Sequence, residues 1–161
     1  MRKSTDPIAQ LMQEHNDALL QLKLLNKAAQ AFASDGFSSK HFNQIKASLK
    51  FLEKEVSVHN AKEEDALFPV LERYIEGPTR IMRSDHKKLH KGFSQLSAAV
   101  ANVQKNRDSF SAIKKLRTVT KDVVQLFVNH IHKENYILFP LVQKFLSKDE
   151  LREIAKSMLQ L

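Results

Sequence analysis

The sequence predicts an all-α protein: an up-down-up-down four-helix bundle made of two pseudo-symmetric helical hairpins, with a short helix at the C-terminal end. Three observations lead there. With only three Gly and four Pro in 161 residues, and 42% hydrophobic against 27% charged residues, the composition favours helices with few turns. Apolar residues recur at helical spacing through four long stretches. A shift of 71 residues lays the first half on the second without a gap, so each half reads as one hairpin with an apolar face to bury against the other.

Each element has its own start signal. Asp6 followed by Pro7 offers a side-chain cap and a proline in the first turn. The stripe Ile8, Leu11, Met12, Leu19, Leu22, Leu25 and Ala29 then continues toward a stop at Asp35-Gly36. Ser38 or Ser39 caps a second helix running to about Ile75, and Gly77-Pro78 breaks the chain and restarts it. A third helix spans about Thr79 to Val103, and the polar stretch Gln104 to Asp108 turns into a fourth ending near Leu146. Leu-Phe-Pro, at residues 67–69 and again at 138–140, reads as a helix closure. Ser-Lys-Asp-Glu at 147–150 matches a capping box and opens a short helix over about Lys148 to Gln160. The bundle thus covers about 6–146 and the terminal helix about 148–160, within one domain spanning 1–161.

Composition also excludes function classes. With no Cys, thiol catalysis, disulfides and thiolate metal sites are ruled out, so any metal must be held by nitrogen and oxygen. No apolar run approaches the roughly 20 residues of a membrane-spanning helix, and the start MRKSTDPIAQ lacks a signal peptide's apolar core. A soluble, cytoplasmic protein is expected. The net charge of +8 is dispersed over Lys23, Lys27, Lys46, Lys50, Lys54, Lys87, Lys88, Lys91, Lys114, Lys115 and Lys121 with no nucleic-acid motif. It reads as solvated helix surface, with an acidic partner as the alternative.

The repeat's strongest matches are polar. His15 falls on His86, His59 on His130, Lys62-Glu63 on Lys133-Glu134, and Glu14 on Asp85. His59 and Glu63 are four residues apart, as are His130 and Glu134, so each pair shares a helix face about 6 Å apart along the axis. His86 and His90 have the same spacing, whereas the counterpart of His90 is Leu19. A lone histidine on an apolar stripe is ordinarily a bonded core residue, and a lone HxxxE ordinarily a surface pair. Together, five imidazoles and two carboxylates aimed at one core level would cost several kcal/mol per ion to bury, a difficulty a metal centre removes. Leu19, Leu52, Val56, Val123 and Phe127 are expected to form its dry walls. His41 and His132 are expected at the surface, as are Glu14 and Asp85, with support of the ligands as the alternative for the two carboxylates.

The order His15, His59-x-x-x-Glu63, His86-x-x-x-His90, His130-x-x-x-Glu134, with Leu-Phe-Pro after both HxxxE motifs, resembles the hemerythrin-like (HHE cation-binding) domain family over about residues 6–146. The resemblance implies two iron ions joined by an oxo or hydroxo group, with zinc or manganese as possible substitutes. It assigns His86, His90 and His130 to one iron and His15 and His59 to the other, with Glu63 and Glu134 bridging. That count leaves the open position on the second iron, for dioxygen, nitric oxide or peroxide in storage, sensing or detoxification. Alternatives are a peroxide- or nitric-oxide-processing enzyme, an iron-centre repair or iron-donor protein, or a metal-controlled interaction module. Repair relatives usually carry a cysteine-bearing N-terminal domain, which ranks repair lower for a Cys-free sequence. Invertebrate oxygen carriers place an aspartate five residues after the last histidine. Here Glu134 follows His130 by four, a departure that bears on reversible oxygen carriage more than on the metal site.

Overall fold

In the computed structural model, which describes residues 6–161, the chain is helical nearly throughout and no strand occurs among the described residues. The elements are α1 (Pro7–Asp35), α2 (Ser39–Ala61), a π-turn (Lys62–Leu67), α3 (Phe68–Leu71), α4 (Gly77–Lys105), α5 (Phe110–Lys133), a second π-turn (Glu134–Leu138), α6 (Phe139–Phe145) and α7 (Lys148–Met158). The expected start signals operate. Asp6 accepts the Ile8 N–H at 2.9 Å, Ser38 that of His41 at 3.5 Å, and Ser109 that of Ala112 at 3.2 Å. At Ser147 both bonds of the capping box form. Gly36, with φ +81° and ψ −169°, ends α1 in a conformation that side-chain-bearing residues avoid. Residues 1–5, part of the polar start that lacks a signal peptide's apolar core, lie outside the described residues.

The expected closure at Leu-Phe-Pro does not occur. Pro69 and Pro140 have no N–H, and their rings crowd the carbonyl four residues back. The chain widens by one residue instead of stopping: Phe68 N–H bonds the Glu63 carbonyl and Phe139 N–H that of Glu134, both five residues back. Helix then resumes as α3 and α6, and the apolar faces of Phe68, Val70, Leu71, Phe139 and Val142 stay buried. The two long rods are therefore α2–α3 and α5–α6, each with a π-turn at its glutamate.

The hairpins α1/α2 and α4/α5 pack side by side through α1 and α5, while α2 and α4 approach only loosely. Two separate apolar cores result. One joins Leu22, Leu25, Phe32, Ile45, Leu52, Leu89, Leu96, Leu116 and Phe127. The other joins Ile8, Leu11, Leu67, Phe68, Leu71, Met82, Leu138 and Phe139, closed by Ile154 and Met158 of α7. Arg73 to Glu153 and the Tyr74 hydroxyl to Glu150 also tie α7 down. No helix among the described residues is long and apolar enough to cross a membrane.

Close packing of α4 on α5 depends on Gly92, where a Cβ would stand 3.1 Å from Val123 Cγ2, on a buried residue whose branched side chain has little rotamer freedom in a helix. Gly92→Val is expected to lower stability by about 1–3 kcal/mol through overpacking, measured by urea unfolding.

Candidate metal centre

Between the two apolar cores lies a polar layer. His15 sits between Leu11 and Ala18 on α1, and His86 between Met82 and Leu89 on α4. His59 and Glu63 lie beyond Val56 on α2 and its π-turn, and His130 and Glu134 beyond Phe127 on α5 and its π-turn. All six are buried, both glutamates completely. The six positions come early in α1 and α4 and late in or just after α2 and α5, so antiparallel packing brings them to one level.

Their functional atoms converge. Glu63 turns Oε1 to His59 Nε2 and Oε2 to His86 Nε2, each at 3.1 Å. Glu134 Oε1 stands 3.0 Å from His15 Nε2 and 3.1 Å from His130 Nε2, and Oε2 lies 4.0 Å from His86. Two groups of four emerge, His15/His59/Glu63/Glu134 and Glu63/His86/His130/Glu134, each with one ligand atom per residue within 4.8 Å of the others. Both glutamates belong to both groups. Glu63 Oε1 and Oε2, His86 Nε2, His130 Nε2 and Glu134 Oε2 are buried without a hydrogen-bond partner; among the described residues the other buried orphan is Thr120 Oγ1, ten residues before His130 on α5. Five inward orphans at one place are a heavy desolvation cost for protein alone, and a divalent ion in each group would satisfy them. The residues present fit a metal of the imidazole and carboxylate class.

Each of the four histidine rings in the layer is fixed from its outer side. His59 Nδ1 meets Glu14 at 3.2 Å, and Lys62 binds the other oxygen of Glu14 at 2.8 Å. His130 Nδ1 meets Asp85 at 3.2 Å, and Lys133 binds that carboxylate at 2.6 Å. His15 Nδ1 lies 2.7 Å from Asn135 Oδ1, and His86 Nδ1 2.9 Å from Glu64 Oε1. Phe139 stacks on His15 and Phe68 on His86, with ring centroids 5.5 and 5.9 Å apart. An Nδ1 partner sets the tautomer that turns Nε2 inward as a metal ligand.

Some expectations change. Glu14 and Asp85, expected at the surface, are half-buried and buried, and they hold the histidine of the neighbouring helix. The exact repeat of Glu/Asp-His and Lys-Glu was the signal that could have revealed this. Nothing local to Glu64, Asn135, Phe68 or Phe139 marked them as supports. His90 does not join the six: it is exposed, on the rim of a groove. The buried stripe on α4 runs Met82, His86, Leu89, Phe93, Leu96, with steps of four and three. After His86 the core side passes to Leu89, and His90 falls about 100° beyond it. Leu19, its counterpart, is only half-buried, while Leu52, Val56, Val123 and Phe127 are buried as expected. His41 is half-buried, and His132 is exposed against Tyr136 at 4.7 Å.

The loose α2–α4 contact leaves a groove of about 590 Å³ that reaches His86 and is lined by Val56, Asn60, Glu64, Asp65, His90 and Phe93 among others. A crevice of only about 20 Å³, walled by Ala18, Leu52, Val56 and Phe127, touches His15 and His59.

Among the side chains themselves this layer is a network of charged pairs. Burial pushes Glu134 toward the neutral form, but the neighbouring imidazoles of His130, His15 and His59 outweigh it and hold the carboxyl well below its ordinary 4.5. Burial opposes the charged form of His59 too, yet Glu63, Glu134 and Glu14 raise it well above 6.5; at His130 burial again opposes the charge, and Glu134, Glu63 and Asp85 raise it above 6.5. Glu14, despite its burial, is drawn down to about 2 by His59 and Lys62.

Fold and layer together define a class: a helical bundle with a buried histidine and glutamate cluster suited to binding metal. The family model described as Hemerythrin HHE cation binding domain matches residues 6–142, and the chain belongs to that family. It is also similar to the Iron-sulfur cluster repair protein YtfE of Yersinia pestis (strain Pestoides F) and of Yersinia pseudotuberculosis serotype O:1b (strain IP 31758). Each is 27% identical over 100 residues, which is 60% of this chain and 45% of the relative. The chain thus spans about half the length of the curated relatives it matches.

The charge network gives a pH signature. Histidines raised above 6.5 contribute stability that is complete below 6.5 and is lost as pH climbs through their folded values. Carboxylates lowered from 4.5 contribute stability that is complete above 4.5 and is lost as pH falls through their folded values, about 2 for Glu14. Thermal unfolding in the presence of a chelator should therefore show its highest Tm between pH 4.5 and 6.5, with a decline above as His59 and His130 lose their protons. Metal should flatten the alkaline decline, because ligating histidines are already neutral.

Proposed function

We propose that the chain holds two iron ions, His15 and His59 serving one, His86 and His130 the other, with Glu63 and Glu134 bridging, and that the centre binds dioxygen, nitric oxide or peroxide. One observation carries this reading: two four-residue groups share both buried glutamates and point unpaired ligand atoms inward. Mixed imidazole and carboxylate ligands suit iron, and zinc or manganese would fit the same set. Bound iron would supply the redox activity and affinity for small ligands that none of the side chains here possesses.

The chain's own residues do the rest. Glu14, Asp85, Glu64 and Asn135 hold the four rings with Nε2 inward. Leu52, Val56, Val123 and Phe127 keep bulk water and large substrates from one side of the layer, and Phe68 and Phe139 from the other. A small ligand enters from the α2–α4 groove, which ends at His86. The earlier expectation of an open position beside His15 and His59 depended on His90 as a third histidine for the other iron. With two histidines in each group, ligand count no longer separates them.

A second reading has its own support. The similar curated proteins are named for iron-sulfur cluster repair, and in that role the iron would be cargo passed to a damaged cluster. Slow exchange of iron with a chelator favours the ligand-binding reading, and rapid release to an apo-cluster acceptor favours donation.

Glu134→Ala should cut iron from two per chain to one or none, because it removes a ligand from both groups. His90→Leu should retain two, since that side chain lies outside both. Metal analysis after anaerobic loading reads both outcomes; two ions in Glu134→Ala would refute bridging. Exposure of the loaded wild type to air or nitric oxide should generate visible ligand-to-iron charge-transfer bands, and a spectrum that stays silent would overturn the ligand-binding role.

A further inference from the structure

The supports of the four rings obey the same 71-residue repeat as the ligands, with one failure in kind. His59 rests on Glu14, itself neutralised by Lys62; His130 rests on Asp85, itself neutralised by Lys133. His15 and His86 both stack on a phenylalanine. Yet His15 Nδ1 faces the neutral amide oxygen of Asn135, whereas His86 Nδ1 faces the carboxylate of Glu64, and 64 and 135 are themselves one repeat apart. Among the described residues no lysine or arginine pairs with Glu64; its ion pair is with His86.

We propose that Glu64, a positioning residue acting through His86, makes the His86/His130 position bind its metal more tightly than the His15/His59 position, so the two ions load in a fixed order and the weaker is the exchangeable one. This rests on reading the six residues as a two-metal centre. A carboxylate that accepts the Nδ1–H of a ligating imidazole raises the basicity of Nε2, and an amide oxygen does so far less. The His86/His130 position therefore carries one uncompensated negative charge that its partner lacks. Removing such a support costs about 10–100-fold in metal affinity. Glu64 is about one-third exposed, its side chain showing 36% of its surface, so solvent screening places the effect at the lower end. The α2–α4 groove that exposes Glu64 also gives His86 the shorter route to solvent. Rates and affinities can therefore point to different positions, and equilibrium affinity is the quantity to measure.

The test is anaerobic titration of the metal-free full chain with cobalt(II) against a chromophoric chelator, followed by visible absorption. Wild type should take up two ions in steps about tenfold apart. Glu64→Gln, which keeps the side chain's shape, should close the gap by weakening the tighter step. Asn135→Asp should close it from the other direction by strengthening the weaker step, a gain that a merely structural role does not produce. His15→Ala, with helicity checked by circular dichroism, should abolish the weaker step and spare the tighter one. Two equal steps in wild type, or a gap unchanged in both Glu64→Gln and Asn135→Asp, overturns the proposal while leaving the two-metal reading intact. Failure of the wild type to take up two ions overturns that underlying reading instead.

Discussion

Glu63 and Glu134 stand with no solvent exposure at the centre of a helical bundle, and the rest of the structure follows from the need to balance them. An ionised carboxylate in such surroundings loses several kcal/mol of hydration unless charge and hydrogen bonds replace the water. Four imidazoles, one from each of α1, α2, α4 and α5, supply the nearest replacement. They bring their own requirement, because an imidazole aimed inward by Nε2 leaves Nδ1 to be satisfied outward. Glu14, Asp85, Glu64 and Asn135 meet that need, and Lys62 and Lys133 neutralise two of the carboxylates thus introduced. The layer is a chain of such obligations running from the centre to the surface. Apolar packing alone would ask for none of it, and the two apolar cores on either side serve to hold the four helices in register around it.

The same constraint accounts for the π-turns. A glutamate four residues after a histidine shares its face, yet the following Leu-Phe-Pro must also bury its leucine and phenylalanine in the second core. Widening the helix by one residue lets the downstream face rotate without disturbing the upstream one. Proline makes the wide turn the natural outcome, because no N–H is lost that the chain could have used. The carbonyls of Glu63 and Glu134 accept the five-residue bonds, so the side chain at the centre and the backbone that re-aims the helix belong to one residue in each half.

Much of this was legible in the sequence. The bundle, its hairpins, the caps at Asp6, Ser38 and Ser147, and the convergence of His15, His59, Glu63, His86, His130 and Glu134 follow from period, punctuation and repeat. What escaped did so for physical reasons. A proline after a helical run signals a stop more often than a bulge, and the choice is made by tertiary burial of Phe68 and Phe139, which no local pattern records. Glu14 and Asp85 lie about 100° from the histidines beside them and look solvated on their own helix; their partners are on a neighbouring one. His90 illustrates the opposite error. Its four-residue spacing from His86 suggests a shared face, but the buried stripe on α4 steps by three after His86, and that step carries the core side to Leu89.

The loss of His90 from the cluster relocates the asymmetry of the site. Five histidines would have divided unequally between two positions and fixed the difference in the ligands themselves. In the proposed two-metal centre four histidines and two shared glutamates divide equally, and a duplicated hairpin of this kind yields two equivalent positions by default. Any functional difference between them must then come from outside the ligands. Besides the His90/Leu19 mismatch, two features break the repeat there: the exchange of Glu64 for Asn135 beneath paired histidines, and the groove that opens between α2 and α4 beside His86, where the repeat-related α5 and α1 pack closely. Both fall on the same half of the layer. A substitution in a supporting residue costs less in fold stability than one in a buried ligand, because Glu64 and Asn135 keep partial contact with water. Differentiating two equivalent positions through their outer supports therefore leaves the buried charge balance of the bundle untouched, which replacing a central histidine or glutamate could not do.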